Sequence, residues 1–190
     1  MKKSKAETAE TRKRIVDIAA REFKEKGIQS ASVSEIMAAA GLTHGGFYRH
    51  FKSKEDLLTE ACSAALGRMA ENAQAAVDGG NEAFVRYLDN YLSTNMREDF
   101  AASCVFVTMG SELARADDET RHVMTEGFKT WIDILAKQTP DKPADEARRG
   151  AMFRLSAMVG ALTMARIADD KDFAEQILGE IRTRLIAPSS

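Results

Sequence analysis

Apolar residues recur at three- and four-residue spacings along almost the whole chain, and nowhere do they alternate long enough to predict a strand. Ile15, Ala19 and Phe23 stand four apart and predict a first helix, capped near Ser4 and ending at Lys26-Gly27. Ser32-Val33-Ser34-Glu35 then forms a capping box, in which a hydroxyl and a carboxylate satisfy orphan amides at the start of a helix carrying Ile36, Met37 and Ala40. Gly41 ends that helix, because glycine accepts the left-handed backbone of a tight turn, and Leu42 can plug the small core. Thr43 is an N-cap for a third short helix whose Phe47 and Phe51 share one face. Helices this short do not stand alone, so the first helix must pack beneath them. The stretch 32–51 reads as a helix-turn-helix within a three-helix unit.

A long fourth helix follows from Lys54 to about Val77, with Leu57, Leu58, Ala61, Ala65, Leu66, Met69 and Ala73 as its buried stripe, until Asp78-Gly79-Gly80-Asn81 breaks it. Phe84, Leu88, Tyr91 and Leu92 mark a fifth helix, Val105 to Ala114 a sixth, and Val123 to Leu135 a seventh, which opens on Asp117-Asp118-Glu119 as a helix dipole favours. Thr139-Pro140-Asp141-Lys142-Pro143 is a loop, with Pro143 suited to a first helical turn. Two last helices run from about Pro143 to Ala168 and from Asp172 to Ile186, where Pro188 stops the chain's final helix. Their connection is short, so they pack as antiparallel neighbours. The expectation is an all-α protein of about nine helices, divided into residues 1–58 and 59–190.

Composition changes this picture little and charge changes it more. A chain of 190 residues with 44% hydrophobic residues has ample material for a core, and no apolar run approaches a membrane span. The charged N-terminus leads into no signal-peptide stretch, so the expected location is the cytoplasm, with no membrane partner. Net charge is only −2, yet residues 1–58 hold 12 Lys and Arg against 8 Asp and Glu, while the remainder hold 15 against 21. A basic head that meets phosphates is joined to an acidic body that repels them. The basic Met1 to Lys3 read as an arm ahead of the first helix, solvated or reaching into a minor groove.

Catalytic and metal chemistry find no support in the spacing of residues. There is no Ser-His-Asp arrangement, no His-Glu-x-x-His, no Cys-x-x-Cys and no phosphate-cradling glycine loop, so no cofactor, metal or catalytic group is expected. Cys62 and Cys104 are too far apart in sequence for a ligand pattern and read as reduced core residues. A thiol sensor at Cys104, after the charged Arg97-Glu98-Asp99, is the alternative.

The richest stretch is residues 41–58, Gly-Leu-Thr-His-Gly-Gly-Phe-Tyr-Arg-His-Phe-Lys-Ser-Lys-Glu-Asp-Leu-Leu, where an aromatic face adjoins basic ones. Thr43 and His44 lie at the tip of the expected reading helix, and Gly45 and Gly46 let its backbone come close to bases in a major groove. His44 is the expected specificity residue. Residues 12–58 resemble the N-terminal DNA-binding domain of the TetR/AcrR transcriptional regulators: an amphipathic first helix, a short second one, the Phe47-Tyr48 pair followed by Phe51, and Ser53-Lys54-Glu55-Asp56-Leu57-Leu58 opening a long helix.

That resemblance implies a repressor. By the family's contact pattern Tyr48, His50 and Lys54 hold phosphates, helped by Thr43 and Arg49 and approached by Ser34 from the second helix. It implies a homodimer through the last two helices, with Leu155, Val159, Leu162, Ile177 and Ile181 at the interface, on double-stranded operator DNA that is an inverted repeat. It also implies a small, largely apolar inducer bound among helices five to eight, for which Phe84, Tyr91, Phe128, Trp131 and Met158 are the expected wall. Bulky and soft residues permit such a cavity, although core packing is the more usual role for most of them. Arg86, Arg115 and Arg154 are candidate partners for an acidic ligand, although such a residue is more often just an exposed charge. Two other classes remain beside this one: a helical module that keeps the helix-turn-helix but binds a protein, and an enzyme or redox-responsive regulator using Cys104.

Overall fold

The computed structural model describes residues 5–186. The expected arm at Met1 to Lys3, the cap at Ser4 and the stop at Pro188 lie outside them. The described residues form helices α1 (Lys5–Lys26), α2 (Val33–Ala39), a six-residue 3-10 segment (His44–Arg49), α3 (Lys54–Asp78), α4 (Gly80–Tyr91), α5 (Thr94–Glu98), α6 (Val105–Leu113), α7 (Asp118–Ala136), α8 (Ala144–Ile167) and α9 (Lys171–Ile186), and no strand. No helix among them is long and apolar enough to cross a membrane.

Local chemistry explains most boundaries. The Ser32 hydroxyl accepts from the Glu35 amide at 3.1 Å, and hydrogen bonding to Ser32, then the Lys26 ammonium, holds the Glu35 carboxyl below its ordinary value. At the other end of α2 the Leu42 amide donates to the Met37 carbonyl and the Gly41 amide to that of Ala38, both at 2.9 Å, with Gly41 at φ +69°. This is the paired-carbonyl stop that a left-handed residue permits. The start of α3 is capped reciprocally: Ser53 accepts from the Asp56 amide at 3.1 Å, and Asp56 accepts from the Lys52 amide at 2.8 Å.

Three boundaries differ from the expectation. The 78–81 break is a single residue, Gly79, with Gly80 at φ +78° already opening α4. Helix α5 is additional; Ser93 caps it from the Met96 amide, but it carries no apolar stripe and so shows no period. Pro143 is the N-cap of α8, not its first turn, with its carbonyl accepting from Glu146 and Ala147 at 2.9 Å.

One core runs the length of the chain. Phe23, Ile15, Ile36, Met37, Phe47 and Leu57 close the N-terminal unit, and Leu88, Val105, Leu135, Met158 and Leu162 close the body. Helix α3 belongs to both, and its densest packing is on α7. There Thr59 and Thr120 share a buried 2.8 Å hydrogen bond. A Cβ on Gly127 would stand 2.6 Å from both Leu66 methyls, so glycine is what lets α7 lie this close to α3. Arg12 with Glu60, Arg68 with Asp17 at 2.8 Å, and Lys24 with the Ser103 carbonyl at 3.2 Å fasten α1 to α3 and to the 99–104 loop.

Candidate functional site

The segment that follows Gly41 carries several exposed residues of the N-terminal unit. Its two adjacent glycines are poor helix formers, and it winds as a 3-10 rather than an α-helix, with Gly46 bonded to the Thr43 carbonyl at 2.9 Å and His50 to that of Phe47 at 2.8 Å. Phe47 and Phe51 are buried and stacked, ring centroids 5.6 Å apart, and the Arg12 guanidinium covers the Phe51 ring at 4.2 Å. The aromatic face therefore anchors the segment and sets the direction of everything else on it.

What faces outward is the polar set. Thr43, His44, Gly45, Tyr48 and Arg49 are exposed, as is Ser34 on α2, while Gly46, His50 and Lys54 are half-buried. Tyr48 is 69% exposed although its ring stands edge-on against Phe47 at 5.3 Å, so a large aromatic hydroxyl is presented to solvent on a fixed base. Thr43 has the extended backbone of an N-cap, but its hydroxyl caps no amide. Lys54 donates to the Gln29 carbonyl at 3.3 Å. Neither Gly45 nor Gly46 is required by packing: a Cβ at 45 meets nothing within 4 Å, and one at 46 meets only Met37 and Thr43 at 3.6 and 3.8 Å. The smallness of the exposed Gly45 has its effect outward, toward whatever lies against this surface.

In the body, a cavity of about 920 Å³ opens between α6, α7 and α8. Phe106, Leu113, Ile132, Leu155 and Val159 give it an apolar wall, with Arg121, His122 and Ser156 among its polar groups. Phe128 lines it, stacked on Phe106 with centroids 4.1 Å apart. The five residues expected to wall one site do not share one. Tyr91 and Trp131 line a separate hollow on the far side of Phe106, whereas Phe84 and Met158 line neither and are buried in the core. Spacing along a helix shows which residues are bulky, and only the crossing of helices decides which of them stop short of a neighbour. Of the three arginines, Arg86 and Arg115 are exposed, Arg86 pairing with Glu82 on its own helix and Arg115, just past the end of α6, donating back to the Ser111 carbonyl; Arg154 is inserted over the Phe84 ring at 5.4 Å, where burial lowers its pKa.

The residues assigned to an interface also divide. Leu155 and Leu162 are buried within the chain itself, so they belong to its own core; Val159, Ile177 and Ile181 are half-buried. The large apolar side chains left open on α8 and α9 are Met152, Phe153 (68% exposed), Met164, Ile167 (79%) and Phe173. Both thiols are enclosed. Burial alone pushes the Cys62 thiol up to about 12, and burial raises that of Cys104 against the smaller effect of the Tyr91 hydroxyl. A thiolate poised for oxidation has the opposite environment, which speaks against Cys104 as a sensor.

Two family descriptions match the chain. Residues 15–61 match "Bacterial regulatory proteins, tetR family", and residues 81–178 match "Transcriptional regulator LmrA/YxaF-like, C-terminal domain". The HTH-type transcriptional repressor BepR of Brucella suis biovar 1 is 42% identical, over 100% of this chain and 99% of its own. The HTH-type transcriptional regulator AcrR of Shigella flexneri is 32% identical over 85% of this chain and 80% of its own. A TetR transcriptional regulator from Chloroflexus aurantiacus J-10-FL superposes with a TM-score of 0.76 at 26% identity, covering 95% of this chain and 96% of the other.

Proposed function

Since the chain belongs to the tetR family of bacterial regulatory proteins and is a DNA-binding transcriptional regulator, we propose that it is a homodimeric repressor that leaves an inverted-repeat operator when a small, largely apolar molecule enters the cavity between α6, α7 and α8. The family is one of regulators rather than enzymes.

The observation that carries this reading is the double role of α6. Phe106, Gly110 and Leu113 line the cavity, while Glu112 on the same helix accepts hydrogen bonds from the Ile28 and Gln29 amides at 3.1 and 3.0 Å. An occupant that displaces α6 therefore acts on the turn leading from α1 into the helix-turn-helix. Helix α3, packed on α7 and rooted beside the reading segment, is a second route. His44 and the Gly45-Gly46 backbone read bases, and Tyr48, Arg49, His50, Lys54, Thr43 and Ser34 hold phosphates, which position the protein without specifying sequence. The open apolar side chains Phe153, Met164, Ile167 and Phe173 form the dimer surface, because two reading segments must be held about one DNA turn, roughly 34 to 36 Å, apart.

The test is a pair of titrations. N-phenyl-1-naphthylamine, an uncharged fluorescent probe, is titrated into the protein alone and into its complex with DNA from upstream of its own gene. Linkage requires DNA to weaken the probe by the same factor as the probe weakens DNA, typically about 5 to 150-fold for an allosteric pair. Equal probe affinities in the two titrations would show an occupant that does not act on DNA.

A further inference from the structure

A second hollow, of different chemistry, lies where the DNA-binding unit meets the body. Its outer part, about 700 Å³, opens between α1, α3, the 101–103 loop and the first residue of α6; an inner part of about 360 Å³ reaches between α3, α4 and α7. Met69, Asn72, Ala102 and Ser103 line both, so the two parts adjoin. Phe106, stacked on Trp131 at 5.9 Å, separates this space from the apolar cavity.

The outer part is cationic. Lys13, Arg21, Lys24 and Arg68 line it against two carboxylates, Asp17 and Glu71, and Asp17 is already paired with Arg68 at 2.8 Å. Lys24 is half-buried; it donates to the Ala101 and Ser103 carbonyls and forms no ion pair among the described residues. Burial is the main cause of its lowered pKa; the nearby Arg68 and Arg21 act in the same sense, and Cys104 and Asp99 against it. The inner part is aromatic and holds unmet polar groups. The Ser103 hydroxyl is buried and has no hydrogen-bond partner in the described residues, and the buried Tyr91 hydroxyl has only the Cys104 thiol beside it. Such groups ordinarily find one, because a buried hydroxyl left unpaired is costly. Trp131 and Tyr87, joined by a 3.0 Å hydrogen bond, wall the same space.

We propose that this seam is a second ligand site, selective for a small aromatic carboxylate whose anionic end is held by Lys24 and Arg68 and whose ring lies in the inner part, within reach of the Tyr91 and Ser103 hydroxyls. Its occupant touches α1 and α3 together, so it bridges the reading unit and the body. The site does not depend on the apolar cavity having a ligand.

Calorimetric titration of the full-length protein with 4-hydroxycinnamate and with its neutral counterpart 4-hydroxycinnamamide tests this. The carboxylate is expected to bind at least about tenfold more tightly, the scale of one hydrogen bond to a charged group. Lys24→Gln, which keeps a donor and removes the charge, brings the ratio close to one; Arg68→Gln, at a half-exposed side chain, lowers it; Tyr91→Phe weakens both probes and leaves the ratio unchanged. Because the ratio compares two ligands on one protein, a loss of stability does not imitate these results. N-phenyl-1-naphthylamine affinity stays the same in all three variants, which separates the seam from the apolar cavity. No measurable binding of the carboxylate, equal affinities in the unmodified protein, or an unchanged ratio in Lys24→Gln overturns the proposal.

Discussion

Glu112, near the end of α6, holds the amide of Ile28 at 3.1 Å, and with its other oxygen holds the next amide, that of Gln29, at 3.0 Å. The turn it grips opens at Gly27, φ +83°, where a Cβ would stand 3.1 Å from the same carboxylate. One side chain of the body thus fixes the backbone of the DNA-binding unit at the point where α1 gives way to α2.

Glu112→Ala should cost about 1.5 to 3 kcal/mol, the range for a hydrogen bond to a charged group, since the exposed Gln29 amide regains water and the half-buried turn only partly does. Amide exchange at Ile28 and Gln29 should quicken. Release of DNA by a cavity ligand should weaken more than DNA binding itself. Unchanged exchange at those two amides would remove Glu112 from the coupling.

On the DNA side, Gly45→Ala separates recognition from folding. A methyl there meets nothing within 4 Å and alanine is the better helix former, so the melting temperature should hold or rise. Operator affinity should fall, because the added methyl stands between backbone and bases. By contrast His44→Ala should alter sequence preference, while Lys54→Ala should weaken all sequences alike and reduce the salt slope by about one. A Gly45→Ala protein with full affinity would place the bases elsewhere on the segment.

For assembly, Phe153→Glu and Ile167→Glu are expected to give folded monomers by sedimentation, since both side chains are open on one chain. Leu162→Glu, whose site has no exposure at all, should instead unfold the chain by burying an unpaired charge. Dimers that persist in both surface variants would move the interface off this face of α8.

The thiols set the alkaline limit. Cys62 is pushed up to about 12, and Cys104, Tyr87 and Tyr91 are raised as well, all chiefly by burial. The folded chain keeps protons that the unfolded chain releases from about pH 8.5 for cysteine, so the unfolded state binds fewer protons and stability falls as pH rises. Between pH 8.5 and 9.5 two such thiols cost on the order of 1 to 2 kcal/mol. Lys24, lowered by burial, acts in the opposite sense across the interval between its lowered pKa and the ordinary value of 10.5. Urea midpoints at the two pH values measure the net effect, and native Cys104 should resist a thiol reagent at pH 8 until the chain unfolds.

Sequence by itself determined the elements and the reading unit. Ser32 with Glu35, Gly41, Ser53 with Asp56 and the Phe47-Phe51 pair act on neighbours within a few residues, so their chemistry is complete in the local chain. Where such signals were weak the reading erred: α5 has a cap and no stripe, and Gly45-Gly46 tightened a helix into a 3-10 turn. Tertiary structure alone decided what faces what. The apolar stripe of α8 names Leu155 and Leu162 without saying that the chain's own core covers them and leaves Phe153 and Ile167 open. Glu112 meets Ile28 across 84 positions, and Lys24 approaches Ser103 across 79. Contacts at that separation are fixed by how whole helices cross, which no local period records.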